Sequence, residues 1–288
     1  MPQVSAGTVE ELEVVRKAEF GYFLTDDEQD ILLHNTEAES ELDEGDTVEV
    51  FIYQDKKGRL AATMTIPKVV AGAYEWVPVV EVKKHLGVFV DIGIKKDMLV
   101  SMDDLPDEFG SWPRSGDRLY CTLKVDKKAG LMAKPATVEQ IEDMTRPAGK
   151  EWFNKEVKGT IYRLVTTGSF LISDEGLKGF VHESEQKERT RLGKIVSGRV
   201  IGVKEDGLVN VSLLPRKHER MGDDAEEIFT YLQERNGPMP YGDHTHADDI
   251  KAKFGMSKGA FKRALGKLMK ERKVYQKDGW TYLNNDRK

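Results

Sequence analysis

Apolar residues in the first three quarters of the chain fall in short runs, many alternating with polar positions. Val9, Leu12 and Val14 open the series. Phe20 to Leu24, Ile31 to Leu33, Val48 to Tyr53 and Leu60 to Met64 follow, parted by Asp, Glu and Gly clusters. Period-two runs bounded by turn residues predict β-strands. Five of them in about 65 residues fit a small barrel of the OB type. The outline then repeats. Val79 to Val82, Gly87 to Gly93, Met98 to Val100, Leu119 to Val125 and Leu131 to Ala133 make a second set. Val157 to Tyr162, Gly168 to Ile172, Gly179 to His182, Ile195 to Val203 and Leu208 to Leu213 make a third. Each set carries the kernel Gly-x-Phe-apolar, at Gly21-Tyr22-Phe23-Leu24, Gly87-Val88-Phe89-Val90 and Gly168-Ser169-Phe170-Leu171. A kernel that returns at corresponding places argues for a structural repeat. Between the second and third sets, Thr137 to Met144 suit one helical stretch. Pro135, Pro147 and Gly149 interrupt regular structure around it, which marks a linker.

After Leu213 the period changes. Ala225, Ile228, Tyr231 and Leu232 lie at helical spacing behind Asp223 and Asp224, acids that suit a helix N-terminus, and Asn236-Gly237-Pro238 stops the helix. A second short helix carries Ile250 and Phe254 and ends at Gly255. Ser257 caps a third, whose buried face is Phe261, Leu265, Leu268 and Met269. Val274-Tyr275 and Trp280 to Leu283 flank Asp278-Gly279, a tight-turn signal. Three helices and a hairpin in this order outline a winged helix. The expected fold is therefore mainly β with a C-terminal α+β domain. OB barrels are expected at residues 1–66, 67–136 and 153–216, a linker at 137–152 and a winged helix at 217–288.

Charge sharpens this picture. The net charge of −6 conceals a gradient: residues 1–50 hold 15 acids and 2 bases, whereas 251–277 hold one acid, Glu271, and ten bases. A one-signed cluster of this kind draws a polyanion to the C-terminal end. On the third helix, Arg263, Lys267 and Lys270 share an arc opposite the apolar face, and Lys258 and Lys262 extend it. Few Asn, Gln or Ser residues lie there to read bases, which favours contact with a nucleic-acid backbone. Single-stranded bases need aromatic platforms. The candidates are Phe20, Phe23 and His34 in the first barrel, Phe89 in the second, and Phe170 and His182 in the third. Phe20 and Phe23 cannot share one side of an ideal strand, and a bulge near Gly21 would bring them together.

Other functions find little support. No apolar run is long enough for a membrane helix, Met1 to Glu11 lacks the apolar stretch of a secretory signal, and one cysteine, Cys121, suits a reducing cytoplasm. His244-Thr245-His246-Ala247-Asp248-Asp249 approaches a His-x-His-x-Asp-His metal pattern. Its last position is Asp249, however, and no histidine follows residue 246, so a helix N-terminus is the expected reading. No phosphate loop or nucleophile elbow is present, and no catalytic residue, metal or cofactor is expected.

Phe20-Gly21-Tyr22-Phe23, Ile31-Leu32-Leu33-His34 and Asp55-Lys56-Lys57-Gly58-Arg59 resemble the S1 domain, an RNA-binding OB module. That resemblance implies one RNA-binding surface made by Phe20, Phe23, His34, Asp55 and Arg59. The second barrel keeps Phe89 and Asp126 but has Leu86, Ser101 and Leu131 at the other positions. The third keeps Phe170 and His182, with Thr167, Lys204 and Leu208 elsewhere. Three such modules before a winged helix, which includes Met256-Ser257-Lys258-Gly259-Ala260-Phe261-Lys262-Arg263, are similar to the conserved virulence factor B family over nearly the full length. The resemblance implies single-stranded RNA as partner and post-transcriptional control of gene expression, including virulence genes. Ribosomes or RNA-processing proteins are further candidate partners. The competing reading is a DNA-binding transcription regulator that uses the winged helix, with the barrels as a protein-interaction scaffold. Residues 152–217 carry 12 bases and 8 acids, so the third barrel and the winged helix are expected to dominate affinity. A chain ending at residue 150 should lose RNA binding, measured by mobility shift; undiminished binding would reverse that ranking.

Overall fold

The computed structural model describes residues 4–55, 57–126, 130–215, 217–235 and 237–284, without the side chains of 217–221. Lys56 and Asn236, used above in a loop motif and a helix stop, lie outside them. The chain divides into two compact units, residues 1–213 and 214–288.

The first unit holds three five-stranded sheets. β1 (Val9–Ala18), β2 (Gly21–Thr25), β3 (Asp30–His34), β4 (Thr47–Gln54) and β5 (Leu60–Thr63) close a barrel in the order β1-β2-β3-β5-β4. The inward half of each alternating strand, including Leu12, Val14, Leu24, Ile31, Leu33, Val50 and Ile52, fills its core. β6 (Glu75–Lys83), β7 (Gly87–Val90), β8 (Met98–Ser101), β9 (Arg118–Asp126) and β10 (Gly130–Pro135) form a sheet in the order β10-β9-β6-β7-β8. Among the described ladders none joins β8 to β10, although the two strands lie side by side. β11 (Glu156–Val165), β12 (Gly168–Ser173), β13 (Lys178–His182), β14 (Ile195–Val203) and β15 (Val209–Ser212) close the third barrel in the same order as the first.

The repeated kernel has a physical cause. Its glycine begins the second strand of each barrel and crosses the third strand at close range. A Cβ at Gly21 would lie 2.4 Å from the Leu33 carbonyl oxygen, at Gly87 1.9 Å from that of Val100, and at Gly168 2.1 Å from that of Val181. No side chain fits there. The first strand of each barrel also shifts register at one place, between Val14 and Arg16, Val79 and Glu81, and Ile161 and Arg163. The bulge expected near Gly21 thus lies on β1, across the ladder. Phe20 reaches Phe23 because it precedes β2 in the turn.

The barrels pack on one another. Phe51 points outward from β4 and is fully buried in the core of the second barrel. The second and third barrels meet through a buried ion pair. The Arg191 guanidinium donates to both oxygens of Asp117, at 2.6 and 2.9 Å, and Asp117 is 4% exposed. Arg118 also crosses, donating to Thr160 Oγ1 and to Asp174, both at 2.6 Å. Tyr162, Ile172 and Ile141 form a small shared core with Trp76 and Tyr120. Ile141 comes from α1 (Val138–Glu142), the helical stretch expected in the linker, which Thr137 and Gln140 cap reciprocally.

The second unit contains α2 (Lys217–Glu234), α3 (Ala247–Phe254), α4 (Lys258–Lys270), β16 (Val274–Lys277) and β17 (Trp280–Leu283). α2 starts six residues before Asp223, so Asp223 and Asp224 are interior positions and do not face the helix N-terminus. Apolar periodicity marks only the buried part of that helix, from Ala225. Gly255 ends α3 at φ 62°, and the Ser257 hydroxyl accepts from the Ala260 N–H at the start of α4.

Gly168→Ala is expected to destabilise the first unit by about 1–3 kcal/mol, the usual cost of forcing added volume into packed structure. Urea titration followed by tryptophan fluorescence should show the lowered midpoint.

Candidate nucleic-acid interface

The register shift decides what stands beside each kernel phenylalanine. In the first barrel it pairs Arg16 with Phe23, and the guanidinium carbon lies 3.8 Å from the ring centroid. In the third it pairs Arg163 with Phe170, at 5.5 Å. In the second the paired residue is Glu81. Lys83 sits 4.9 Å from the Phe89 ring but is tied to Glu81 at 3.1 Å. Guanidinium over an aromatic face is a favourable pair, and it leaves ring and cation side by side on the barrel surface. The sequence reading missed Arg16 and Arg163, because the bulge breaks the alternation that would have placed them.

The first barrel brings Phe20, Phe23 and His34 together and pairs Asp55 with Arg59 in a loop. Phe20 is 51% exposed and meets Phe23 edge-on at 6.0 Å. His34 pairs with Gly21 across the ladder. Its Nδ1 accepts the Thr36 N–H at 3.2 Å and so caps a short 3-10 turn. His182 does the same for Ser184, and Ser101 for Asp103. The second barrel has therefore lost the ring and kept the cap. The β4–β5 loop is organised by Asp55, which accepts from the Arg59 side chain at 2.9 and 2.7 Å and from the N–H groups of Lys57 and Arg59. Burial alone would raise the Asp55 pKa; the hydrogen bonds from Arg59 and Lys57 outweigh it and hold the carboxyl below its ordinary value.

The acidic character of this barrel is partly offset from outside. Lys95, in the β7–β8 loop, binds the Thr36 carbonyl and lies 3.4 Å from Glu37. Lys96 donates to the Gln54 carbonyl at 2.5 Å. Charge counted along the sequence could not show that neighbouring barrels share it.

The third barrel presents a row of ring contacts. Phe170 lies 5.0 Å from Phe180, which lies 6.3 Å from His182; Tyr162, 6.4 Å from Phe170, is buried in the core shared with the second barrel and backs the row from behind. Phe180 replaces Leu32 of the first barrel. Thr167, Leu86 and Phe20 are structural equivalents, since each carbonyl accepts one bond from the residue after the third strand. Arg163 is exposed and has no ion pair among the described residues.

On α4, Phe261, Ala264, Leu265 and Leu268 are buried, and Lys262, Arg263 and Lys270 are exposed. Lys258 is half-buried. Lys267 departs from the expected arc: it is half-buried, its Nζ lies near Gly222 of α2, and it reaches Glu271 at 4.0 Å. The hairpin turns at Asp278 and Gly279, both with positive φ, and exposes Trp280 beside Lys277. This aromatic-cation pair was not singled out from the sequence. His246 precedes α3, with Asp248 and Asp249 in the first turn. Among the described residues no three His, Cys, Asp or Glu side chains gather as a metal site. Burial pushes the Cys121 thiol far up, unlike a reactive cysteine. Among the described residues, no helix is long and apolar enough to cross a membrane.

Small barrels with ring-and-cation faces, followed by a winged helix with a basic third helix, define a multidomain nucleic-acid-binding protein. Comparisons with known proteins specify the class. Residues 6–65 match an S1 domain model, 74–134 the CvfB first S1-like domain, 141–215 the second domain of virulence regulatory factor CvfB, and 226–283 a CvfB-like winged helix domain. Uncharacterized protein YitL of Bacillus subtilis is 54% identical over 271 residues, covering 94% of this chain and 91% of its own length. Conserved virulence factor B of Staphylococcus saprophyticus is 38% identical over 277 residues, with 95% and 92% covered. A solved multidomain protein with nucleic acid binding domains, from Streptococcus pneumoniae, shares 38% identity at a TM-score of 0.67, over 96% of this chain and 98% of that one. The chain belongs to the conserved virulence factor B family.

The Asp55 loop sets a pH expectation. A depressed carboxylate pKa stabilises the folded loop fully above the ordinary Asp value of about 3.9. That contribution should fade as pH falls through the lowered folded value. Amide exchange at Lys57 and Arg59, followed down the pH scale, should show the loop opening before the barrel core does.

Proposed function

We propose that this protein binds single-stranded RNA and acts in post-transcriptional control of gene expression, with the third barrel and the winged helix supplying most of the affinity. The observation that carries this reading is the row Phe170, Phe180 and His182 with Arg163 beside it. Rings in a row stack with successive unpaired bases, each worth about 1–3 kcal/mol, and an unpaired guanidinium donates to backbone phosphate oxygens. Stacked base pairs in a duplex hide those faces. Lys258, Lys262, Arg263 and Lys270 add backbone attraction without base reading. The first barrel, with Phe20, Phe23, His34, Asp55 and Arg59, is a second and weaker contact amid its acids. Phe89 of the second barrel has only a neutralised lysine beside it and contributes least. Family membership supports a role in virulence-gene regulation.

Competition at fixed salt tests the reading. Single-stranded RNA should displace a bound RNA probe at lower concentration than duplex DNA of equal length. Preference for duplex DNA would instead favour a transcription regulator working through α4. Changing Lys262, Arg263 and Lys270 together to Glu should reduce RNA affinity by at least about tenfold at low salt, with folding retained, because three phosphate contacts become repulsive.

A further inference from the structure

The third barrel lacks the arginine that closes the β4–β5 loop of the first. Its β14–β15 loop has the same geometry: the Lys204 N–H donates to the Leu208 carbonyl at 2.8 Å, as Asp55 does to Arg59 at 2.9 Å. The arginine position is therefore Leu208, which brings no charge. A different segment runs alongside this loop. Residues 145–148 of the linker are held at both ends. The Arg146 N–H donates to the Gly176 carbonyl at 2.8 Å, and the Ala148 N–H to the Gly207 carbonyl at 3.0 Å. Arg146 also forms a parallel bridge to Leu177. Gly207 has φ +82°, and a Cβ there would lie 2.4 Å from that of Pro147, so the linker sits as close as glycine allows.

This places the Arg146 side chain on the third barrel. Its Nε donates to the Glu175 carbonyl at 2.7 Å, which fixes the side chain while using one of five donors. Arg146 is exposed and has no carboxylate partner among the described residues. An open cleft of about 460 Å³ lies between it and the platform, lined by Arg146, Pro147, Phe170, Lys178, Asp206 and Leu208. Of the two other charges there, Lys178 is ion-paired with Glu142 at 2.8 Å and lies 5.6 Å from the Phe170 ring centroid, and Asp206 keeps its negative charge on a backbone hydrogen bond, accepted from the Leu208 N–H at 3.0 Å. The cleft thus pairs one ring with one free guanidinium.

We propose that Arg146, from the linker, supplies the cation absent from the third barrel's own loop and binds the phosphate of a nucleotide whose base stacks on Phe170. The proposal rests on the single-stranded RNA reading above. It makes the linker part of the binding site as well as a tether, and completes the third barrel only when the linker is docked.

The test is anisotropy of a labelled single-stranded RNA against the full chain across a salt series. Arg146→Ala should weaken binding roughly tenfold at low salt, the loss of one charge-assisted contact. It should also reduce the slope of log affinity against log salt by about 0.7, one phosphate on a single strand. Arg146→Lys should restore the slope, which a purely structural role for the Glu175 contact would not predict. Phe170→Ala should weaken binding with the slope unchanged. If Phe170→Ala weakens binding while Arg146→Ala leaves affinity and slope unchanged, the linker proposal is wrong and the RNA reading stands. If the unmodified chain does not bind the RNA, both fall.

Discussion

Each barrel depends on one steric constraint: the second strand must cross the third so closely that only glycine fits. The carbonyl oxygens of Leu33, Val100 and Val181 occupy the space a side chain would need. Two residues beyond each glycine stands the kernel phenylalanine, and the bulge on the first strand sets a particular residue beside it. Where that residue is Arg16 or Arg163, ring and guanidinium emerge together. Where it is Glu81, the same fold yields a neutral, self-paired patch. Backbone geometry and surface chemistry are thus joined at one point. A change in the cross-strand partner retunes a barrel without disturbing its core.

The three barrels do not act as beads on a string. Phe51 of the first is part of the second's core, and the Asp117–Arg191 pair fixes the second against the third. A desolvated, bidentate pair of this kind is weak support for overall stability but costly to break on one side, which makes it suited to holding one arrangement. The consequence is electrostatic as well as mechanical. Lys95 and Lys96 temper the acidic end of the first barrel, and the linker delivers Arg146 to the third. Cations that belong to one segment by sequence serve another in space. The second barrel, poorest in surface chemistry, is the hub through which its neighbours are positioned.

Much of the fold was legible in the sequence because its determinants are local. Alternation marked the strands, and the repeated glycine kernel marked the repeat. Gly255, Ser257 and Asp278-Gly279 punctuated the winged helix. The start of α2 was not legible, since its first turns bury no apolar stripe and Asp223 with Asp224 imitated an N-terminus. Site residues divide in the same way. Phe20, Phe23 and His34 come together through the β2–β3 ladder, and Asp55 pairs with Arg59 in the β4–β5 loop. Arg16 and Arg163 escaped notice because a bulge shifts the face on which they stand. Lys95 and Arg146 escaped because each contacts a barrel to which it does not belong. Lys267 looked equivalent to Arg263 by helical angle, but α2 and Glu271 crowd that edge of α4.

The central claim is that unpaired bases lie on the third barrel's aromatic row. Photocrosslinking of a bound single-stranded RNA carrying 4-thiouridine, with the adducts located by mass spectrometry, tests it most directly. The account predicts adducts on the peptides containing Phe170 and Phe180. Adducts confined to the first barrel, with the third barrel unmarked at saturating RNA, would contradict it.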